Sequence, residues 1–553
     1  RSTLFPYTTL FRSQPLTIGA ITMKKASSAI LLGVLCALIL LGFGSSGFYF
    51  SQKLFQISQK SRQTNFINAA GETTQSSELR QIEIRLTSSG APVSGFSGSA
   101  DGTNWVSADN EVLTLASTKF DTVTVVKGNR QVQRTLTPKE VSDGNLTIDL
   151  DAAPEAPEIL IVNGTDLRDR TTLLYPVSNA DEAAFESELS GAEITEENGE
   201  FLIRLPKDHH QKFFHYFKLR AANPAGSAET TIGILNLPER EPTPIYTFED
   251  FDGMRRNLSG SYRLMNDLDL SSIENWTPIG TDQYPWKGFF DGGGFAIRGF
   301  AITKTELEKN ENGVSFFGAT QNAVIRNLRI IEPKIRILNS DPRKTLAAAI
   351  VVRAATDTLI ENIGVFGGEI TSVNAGASGI IAGMNRSVLS NLFNSATVTT
   401  DWDQPVLYNT AGILGIGVGY IRNCANEGAI YGRHLTGGIT ALANATISRT
   451  INSGRIYGLP LVGEYPPGGI FQTSDSGHIY DSLFTLGSAV HGGAIFSGGV
   501  IDNVRAIGKA DLTDPAMLAV LGSFSGSDPD WIFNSSLANG PIPAAIFSGK
   551  EIR

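Results

Sequence analysis

Two cysteines in 553 residues leave no disulfide framework, and one of them, Cys36, sits inside an apolar run. Burial and backbone pairing must therefore hold the fold. Charge is sparse as well: 18% of residues are charged, and 45 Lys and Arg against 55 Asp and Glu give a net charge of −10. A chain with a pI near 5.3 lacks the basic face that phosphate binding needs, which excludes nucleic acid as a partner class. Histidine is scarce, at 209, 210, 215, 434, 478 and 491, and none opens an H-E-x-x-H zinc motif. A G-x-S-x-G elbow and a phosphate-binding P-loop are absent too. What the chain has in excess is glycine, 57 residues without a collagen period, beside an ordinary 41% hydrophobic content. That combination suits a turn-rich all-β protein rather than a disordered one.

The N-terminal residues divide into three stretches. Residues 1–22 include TLFPYTTLFRS, which resembles a translated sequencing-library adapter, and Met23 is expected to be the true start. Residues 23–52 carry Lys24 and Lys25 ahead of the apolar run 29–50. Its 22 residues match the roughly 20 that cross a bilayer as a helix. We expect an uncleaved transmembrane anchor, which places the extracytoplasmic domains at the cell surface; the alternative, a cleaved signal peptide, makes the protein secreted. Residues 53–78 are polar and read as a linker.

Two small β-sandwiches are expected next. In 79–152, Ile82, Ile84 and Leu86, then Val123 and Val125, then Leu146, Ile148 and Leu150 alternate with period two, the mark of strands with one buried face. The proline-punctuated DAAPEAP at 151–157 closes this unit. A second unit, 155–238, ends in FKLRAANPAGSAETTIGIL, which resembles the penultimate hairpin of fibronectin type III and immunoglobulin-like domains. His215 stands where that family carries its corner tyrosine, with Tyr216 beside it. PEREPTP at 238–244 follows as a stiff spacer.

From 245 to 553 a tetrapeptide recurs: IRNL at 325, IENI at 360, LSNL at 389, IRNC at 421, ISRT at 447, IYDS at 479 and IDNV at 501. Gly-Ile runs such as those at Gly379, Gly412 and Gly438 precede it. Fixed-period self-similarity built from short strand-like motifs indicates a solenoid, and the abundant glycine excludes helical repeats. One coil cannot bury its Ile, Leu and Val; stacked coils can. At about 4.8 Å per coil, roughly eight coils give a rod of about 40 Å. The third tetrapeptide position, Asn327, Asn362, Asn391, Asn423 and Asn503, predicts a stacked asparagine ladder at a left-handed corner, interrupted by Arg449 and Asp481. Cys424 takes an inward slot as an inert thiol.

These residues also carry a resemblance. YRLMNDLDLSSIENWTPIG at 262–280, followed by Trp286, Gly288, Phe290, Asp291, Gly292, Gly294 and Ile297, resembles the opening of GLUG-motif β-helices. Such helices occur in bacterial surface adhesins and in the N-terminal region of IgA-specific metallo-endopeptidases. DWIFNSSLANGPIP at 530–543 resembles their end. The resemblance implies a right-handed parallel β-helix on a surface-displayed binding protein; without a zinc motif, the protease activity does not carry over.

The whole chain thus reads as all-β: an N-terminal transmembrane helix, two sandwiches and a C-terminal parallel β-helix held out on an anchored stalk. Expected partners are a glycan or a protein on another surface, and the membrane through the N-terminal helix. A polysaccharide-active enzyme and a structural envelope protein are the alternatives. Glycosidases need two carboxylates about 5–9.5 Å apart. Glu361, Asp481 and Asp502 fall on different coils and read as scattered surface acids. Asp267, Asp269 and Asp291 read as turn and cap residues of the opening coil, and no cofactor is expected, Ca²⁺ lacking any EF-hand-like spacing. Trp402, Tyr408, Tyr420, Tyr431 and Tyr457 are the candidate ligand-face aromatics.

Overall fold

A computed structural model describes residues 80–548, with its longer breaks at 155–158, 164–171, 186–192, 205–211, 306–312, 339–345, 402–408, 459–467, 489–493 and 496–499. The N-terminal stretches 1–22, 23–52 and 53–78 lie outside the described residues, as do Trp402 and Tyr408. No helix among the described residues is long and apolar enough to cross a membrane.

Alternation in the first strands produces a two-sheet layer. Arg80–Ser88 pairs antiparallel with Ala91–Val93 and Val112–Ser117, and parallel with Asn145–Asp149. Its inward Ile82, Ile84 and Leu86 are sealed against Phe96, Val123, Val125 and Val132 of a facing sheet. That facing sheet does not stop at the boundary expected near 152. Arg130–Thr135 pairs with Gly226–Leu235 through Gln131 opposite Ser227 and Arg130 opposite Ala228, so strands of both expected sandwiches share one sheet. Gly226 permits the junction: a Cβ there would stand 2.3 Å from the Gln131 carbonyl oxygen.

Beyond residue 245 the chain winds into stacked coils joined by parallel pairing. One column shows the logic. Ile325 lies beside Ile360, then Leu389, Ile421, Ile447, Ile479 and Ile501, each in register with the next coil. All point into one apolar core, and Ile325, Ile360, Leu389 and Ile421 are fully buried. Each such burial contributes about 1.5–3 kcal/mol. The first coil is closed by the short helix Phe248–Gly253, whose Thr247 and Asp250 form a capping box and whose Phe251 reaches Trp276, Phe290 and Phe316. Within the opening block Trp286, Phe290 and Ile297 are core residues.

Three sheets make up the stack, and among the described residues the largest alone continues past residue 458. The largest contains the tetrapeptides. A second is built from Ala301–Lys304, Lys334–Ile337, Glu369–Val373, Thr397–Asp401, Ile430–Gly432 and Ile456–Gly458. A third, of very short strands, runs from Gly313–Val314 to Leu435–Gly437. The segment resembling a β-helix end adds no coil. It forms an antiparallel hairpin, Trp531–Phe533 with Pro541–Pro543, that lies on the flank of the stack.

Candidate functional site

The stack covers two flanks with its own chain. On the first, the residue preceding each inward Ile points out, giving the column Phe289, Val324, Leu359, Val388, Tyr420. Phe214, Tyr216 and Leu235 of the two-sheet region pack onto it. The column then turns polar at Thr446 and His478, which share a cavity of about 40 Å³ with Lys218, Glu229 and Tyr480. The two-sheet region therefore lies along the coils instead of projecting from them as a stalk, because this outward apolar column needs a cover. It also reaches the last coil, where Ser97 and Ser107 both donate to the Ile501 carbonyl.

On the second flank, Phe393, Ala425, Ile451 and Leu483 form another outward column. The C-terminal residues Leu512, Leu518, Leu521, Trp531, Ile542 and Ile546 fold back over it. Glu427 fastens this belt by accepting the Asn539 backbone N–H at 2.9 Å.

The third flank is the outward side of the second sheet, and it carries different chemistry. Its central column runs Thr303, Arg336, Thr371, Thr399, Tyr431, Tyr457, each in register with its neighbour. Among the described residues nothing apolar is laid over it. Arg336 forms a 2.6 Å ion pair with Glu369, exposed on both sides. Tyr431 and Tyr457 are 42% and 41% exposed. Their rings stack with centroids 4.6 Å apart and planes 1° from parallel, and the Arg455 guanidinium lies 5.4 Å from the Tyr457 ring centre. Because each ring covers a face of the other, the pair meets solvent with edges and hydroxyls more than with open faces. The column can hydrogen-bond an extended ligand along its length, and the described residues form no enclosed pocket on it.

Each candidate from the sequence has a definite place. Tyr431 and Tyr457 come together on the open flank. Tyr420 does not join them: it is 1% exposed beneath the two-sheet region, and its hydroxyl lies 3.1 Å from that of Tyr480. The doubled apolar pair Tyr420-Ile421 forces this, since adjacent strand residues face opposite sides and only one can enter the core. Asn327, Asn362, Asn391, Asn423 and Asn503 sit at left-handed corners with φ between 49° and 56°. Asn423 donates to Asn391, Asn391 to Asn362, Asn362 to Asn327 and Asn327 to Asp291, at 2.8–3.1 Å. Arg449 interrupts the line with the same backbone turn, and Asn503 then donates to Asp481. This arrangement ties coil to coil and faces no cavity in the open flank.

A second ladder was missed. Asn394 donates to Asn426 and Asn426 to Asn452, each at 2.8 Å, wholly inside the stack. Gly379, Gly412 and Gly438 lie against these amides; a Cβ on Gly412 would stand 2.3 Å from both the Gly438 carbonyl oxygen and the Asn426 side chain. The signal was present, because each of the three asparagines follows a tetrapeptide third position by three residues.

The acids also divide. Asp267, Asp269 and Asp291 accept backbone N–H groups from Ala296, Ser271 and Gly293. Glu361 is not a scattered surface acid. It sits in register with Arg326, Arg326 with Asp291 and Asp291 with Arg263, a column of alternating charge. Burial pushes the Glu361 carboxyl above its usual range, opposed by Arg326 at 3.5 Å. Asp502 is likewise not at the surface: it is 2% exposed under the Lys127–Gly128 turn, and burial pushes it up to about 6. Burial raises the Cys424 thiol to about 12, so it stays protonated and inert. Among the described residues no group of three or more His, Cys, Asp or Glu side chains is placed to hold a metal ion.

No protein-family model matches the chain. A provisionally named Gly-rich membrane protein of Evansella cellulosilytica is 30% identical over 100 residues, 17% of this chain. The match spans only 11% of that relative's length. Among solved structures, an IgA1 protease aligns with 15% identity over 64% of this chain and 29% of its own, at a TM-score of 0.29. A likeness that loose bears on neither fold nor activity.

Proposed function

We propose that this chain is a cell-surface binding protein of the adhesin type, displaying a right-handed parallel β-helix whose open flank takes an extended glycan or a protein on another surface. The observation that carries the reading is the contrast between flanks. Two are apolar and covered by the chain itself, whereas the third bears an in-register polar column of threonines, Arg336 paired with Glu369, and two exposed tyrosines. In-register repetition along the rod suits a repeating polymer or an extended strand. In this reading residues 29–50 anchor the chain in a membrane, the coils belong with GLUG-motif helices, and the two-sheet region is of immunoglobulin or fibronectin type. The similarity to a protein named as a membrane protein is in keeping with that location.

The test is a panel of immobilised polygalacturonate, alginate, mucin glycans and immunoglobulin A, offered to the full chain with and without Ca²⁺ or Zn²⁺. Retention of at least one, weakened tenfold or more by Tyr431→Ala with Tyr457→Ala, is expected. Reproducible cleavage of any of them, abolished by replacing one carboxylate, would replace this reading with the enzymatic one.

A further inference from the structure

At two distant points a buried aspartate of the coils faces the cover over the first flank. Nearer the first coil, the Asp357 carboxylate faces the Tyr216 backbone of the two-sheet region, with Lys212 of the same region adding its charge. At the last coil, Asp502 accepts the backbone N–H of Gly128 at 3.0 Å, and Lys127 approaches to 3.9 Å. The two sites are five register steps apart, through Leu359, Val388, Tyr420, Thr446, His478 and Val500, or about 24 Å along the rod. In each aspartate Oδ1 is buried and accepts no hydrogen bond from the protein, that of Asp357 lying 3.9 Å from the Arg386 guanidinium. Both carboxylates come from the coils, and the lysine that approaches each comes from the cover. We propose that the two-sheet region is a reversible clasp on the coil stack, latched at two points by Asp357 and Asp502, and that it grips more tightly in acid.

The other charged and titratable groups around the latches fix the direction. Arg386 of the next coil lies 3.9 Å from Asp357, and the Tyr216 ring packs nearby. Asp481 and Asn503 flank Asp502, while Arg130, Lys218, Glu229, His478 and Tyr480 line the cavity between the latches. Burial outweighs the cations at both sites and raises both carboxyls from 3.8 to about 6. A carboxyl whose docked value lies above its free value favours docking most when protonated. Its contribution is therefore complete below about pH 4 and lost as pH rises through about 6. Between pH 7.5 and pH 5 each latch should tighten docking about tenfold, and the two together about a hundredfold. Opening would bare the apolar column from Phe289 to Tyr420, so the clasp also sets how much of that flank is available at neutral pH.

Hydrogen exchange on the full chain, corrected for intrinsic rates at each pH, reads this directly at the peptides containing Gly128 and Tyr216. Protection of both should rise between tenfold and a hundredfold from pH 7.5 to pH 5. Asp357→Asn with Asp502→Asn, nearly isosteric changes, should hold the acid level of protection at pH 7.5 and flatten the profile. Protection in the unaltered chain that is constant or falls on acidification would overturn the proposal. So would a double variant that keeps the full pH dependence.

Discussion

The two covered flanks and the open flank are built by the same coils from the same short strands, yet they follow different chemistry. On the covered flanks the outward residues are Val324, Leu359, Val388 and Tyr420, or Phe393, Ala425, Ile451 and Leu483. Water would be in contact with a hydrophobic strip along the rod, and the chain spends its N-terminal sheets and its C-terminal belt preventing that. On the open flank the outward residues are Thr303, Arg336, Thr371, Thr399, Tyr431 and Tyr457, which water or a polar ligand can satisfy. Under the proposed function, the coil stack separates stability from recognition by flank. Substitutions that damage the fold and substitutions that damage binding should fall on different sides of it.

The sharpest way to break that separation is from inside. Ile421→Asp or Ile447→Asp places an unpaired charge in the central column, at a cost of about 3–5 kcal/mol or more. Neighbouring coils should unfold, seen as a lost or strongly lowered transition by circular dichroism; parent-like melting of both variants would mean that these side chains do not point inward.

Next in size is the belt. Phe393→Ala removes a ring packed on Phe366 at 5.2 Å and on the returning C-terminal segment. It should cost about 3–5 kcal/mol. Hydrogen exchange should rise first at 508–548, leaving the Tyr431 strand protected.

The two asparagine ladders give a finer contrast. Asn426→Ala strands the amide of Asn394 and the oxygen of Asn452 in the interior, a loss of about 2–3 kcal/mol. Asn391→Gly, at a corner with φ 55° that glycine adopts freely, should cost about 0.5–1 kcal/mol in chemical denaturation. Equal losses would show that buried and corner ladders do the same job.

Much of the stack was legible in the sequence because its period is physical. An inward Ile every coil and an Asn suited to left-handed backbone two residues later recur at 325 and 327, 360 and 362, 421 and 423, and 501 and 503. The covered flanks were not read, although doublets such as Val324-Ile325, Leu359-Ile360 and Val388-Leu389 carry them: two adjacent apolar residues on one strand demand a cover on each side. The projecting stalk was an expectation drawn from segment order along the chain, and order does not reveal a sheet that folds back against later residues. Tyr420 illustrates the cost of judging an aromatic without its partner residue, since Ile421 takes the core and sends the ring under the clasp. For Tyr431 the neighbours Ile430 and Gly432 are buried, which leaves the ring facing out.

The measurement that bears most directly on the separation of flanks pairs stability with binding in one variant. Tyr431→Ala with Tyr457→Ala removes an exposed stacked pair, and surface changes of this kind move stability by about 0.5 kcal/mol or less. With the melting transition unchanged, retention on the ligand panel should fall at least tenfold. Unchanged retention, with binding lost instead when Val388 or Phe393 of the covered flanks is replaced, would place recognition on a different side of the rod and contradict the account.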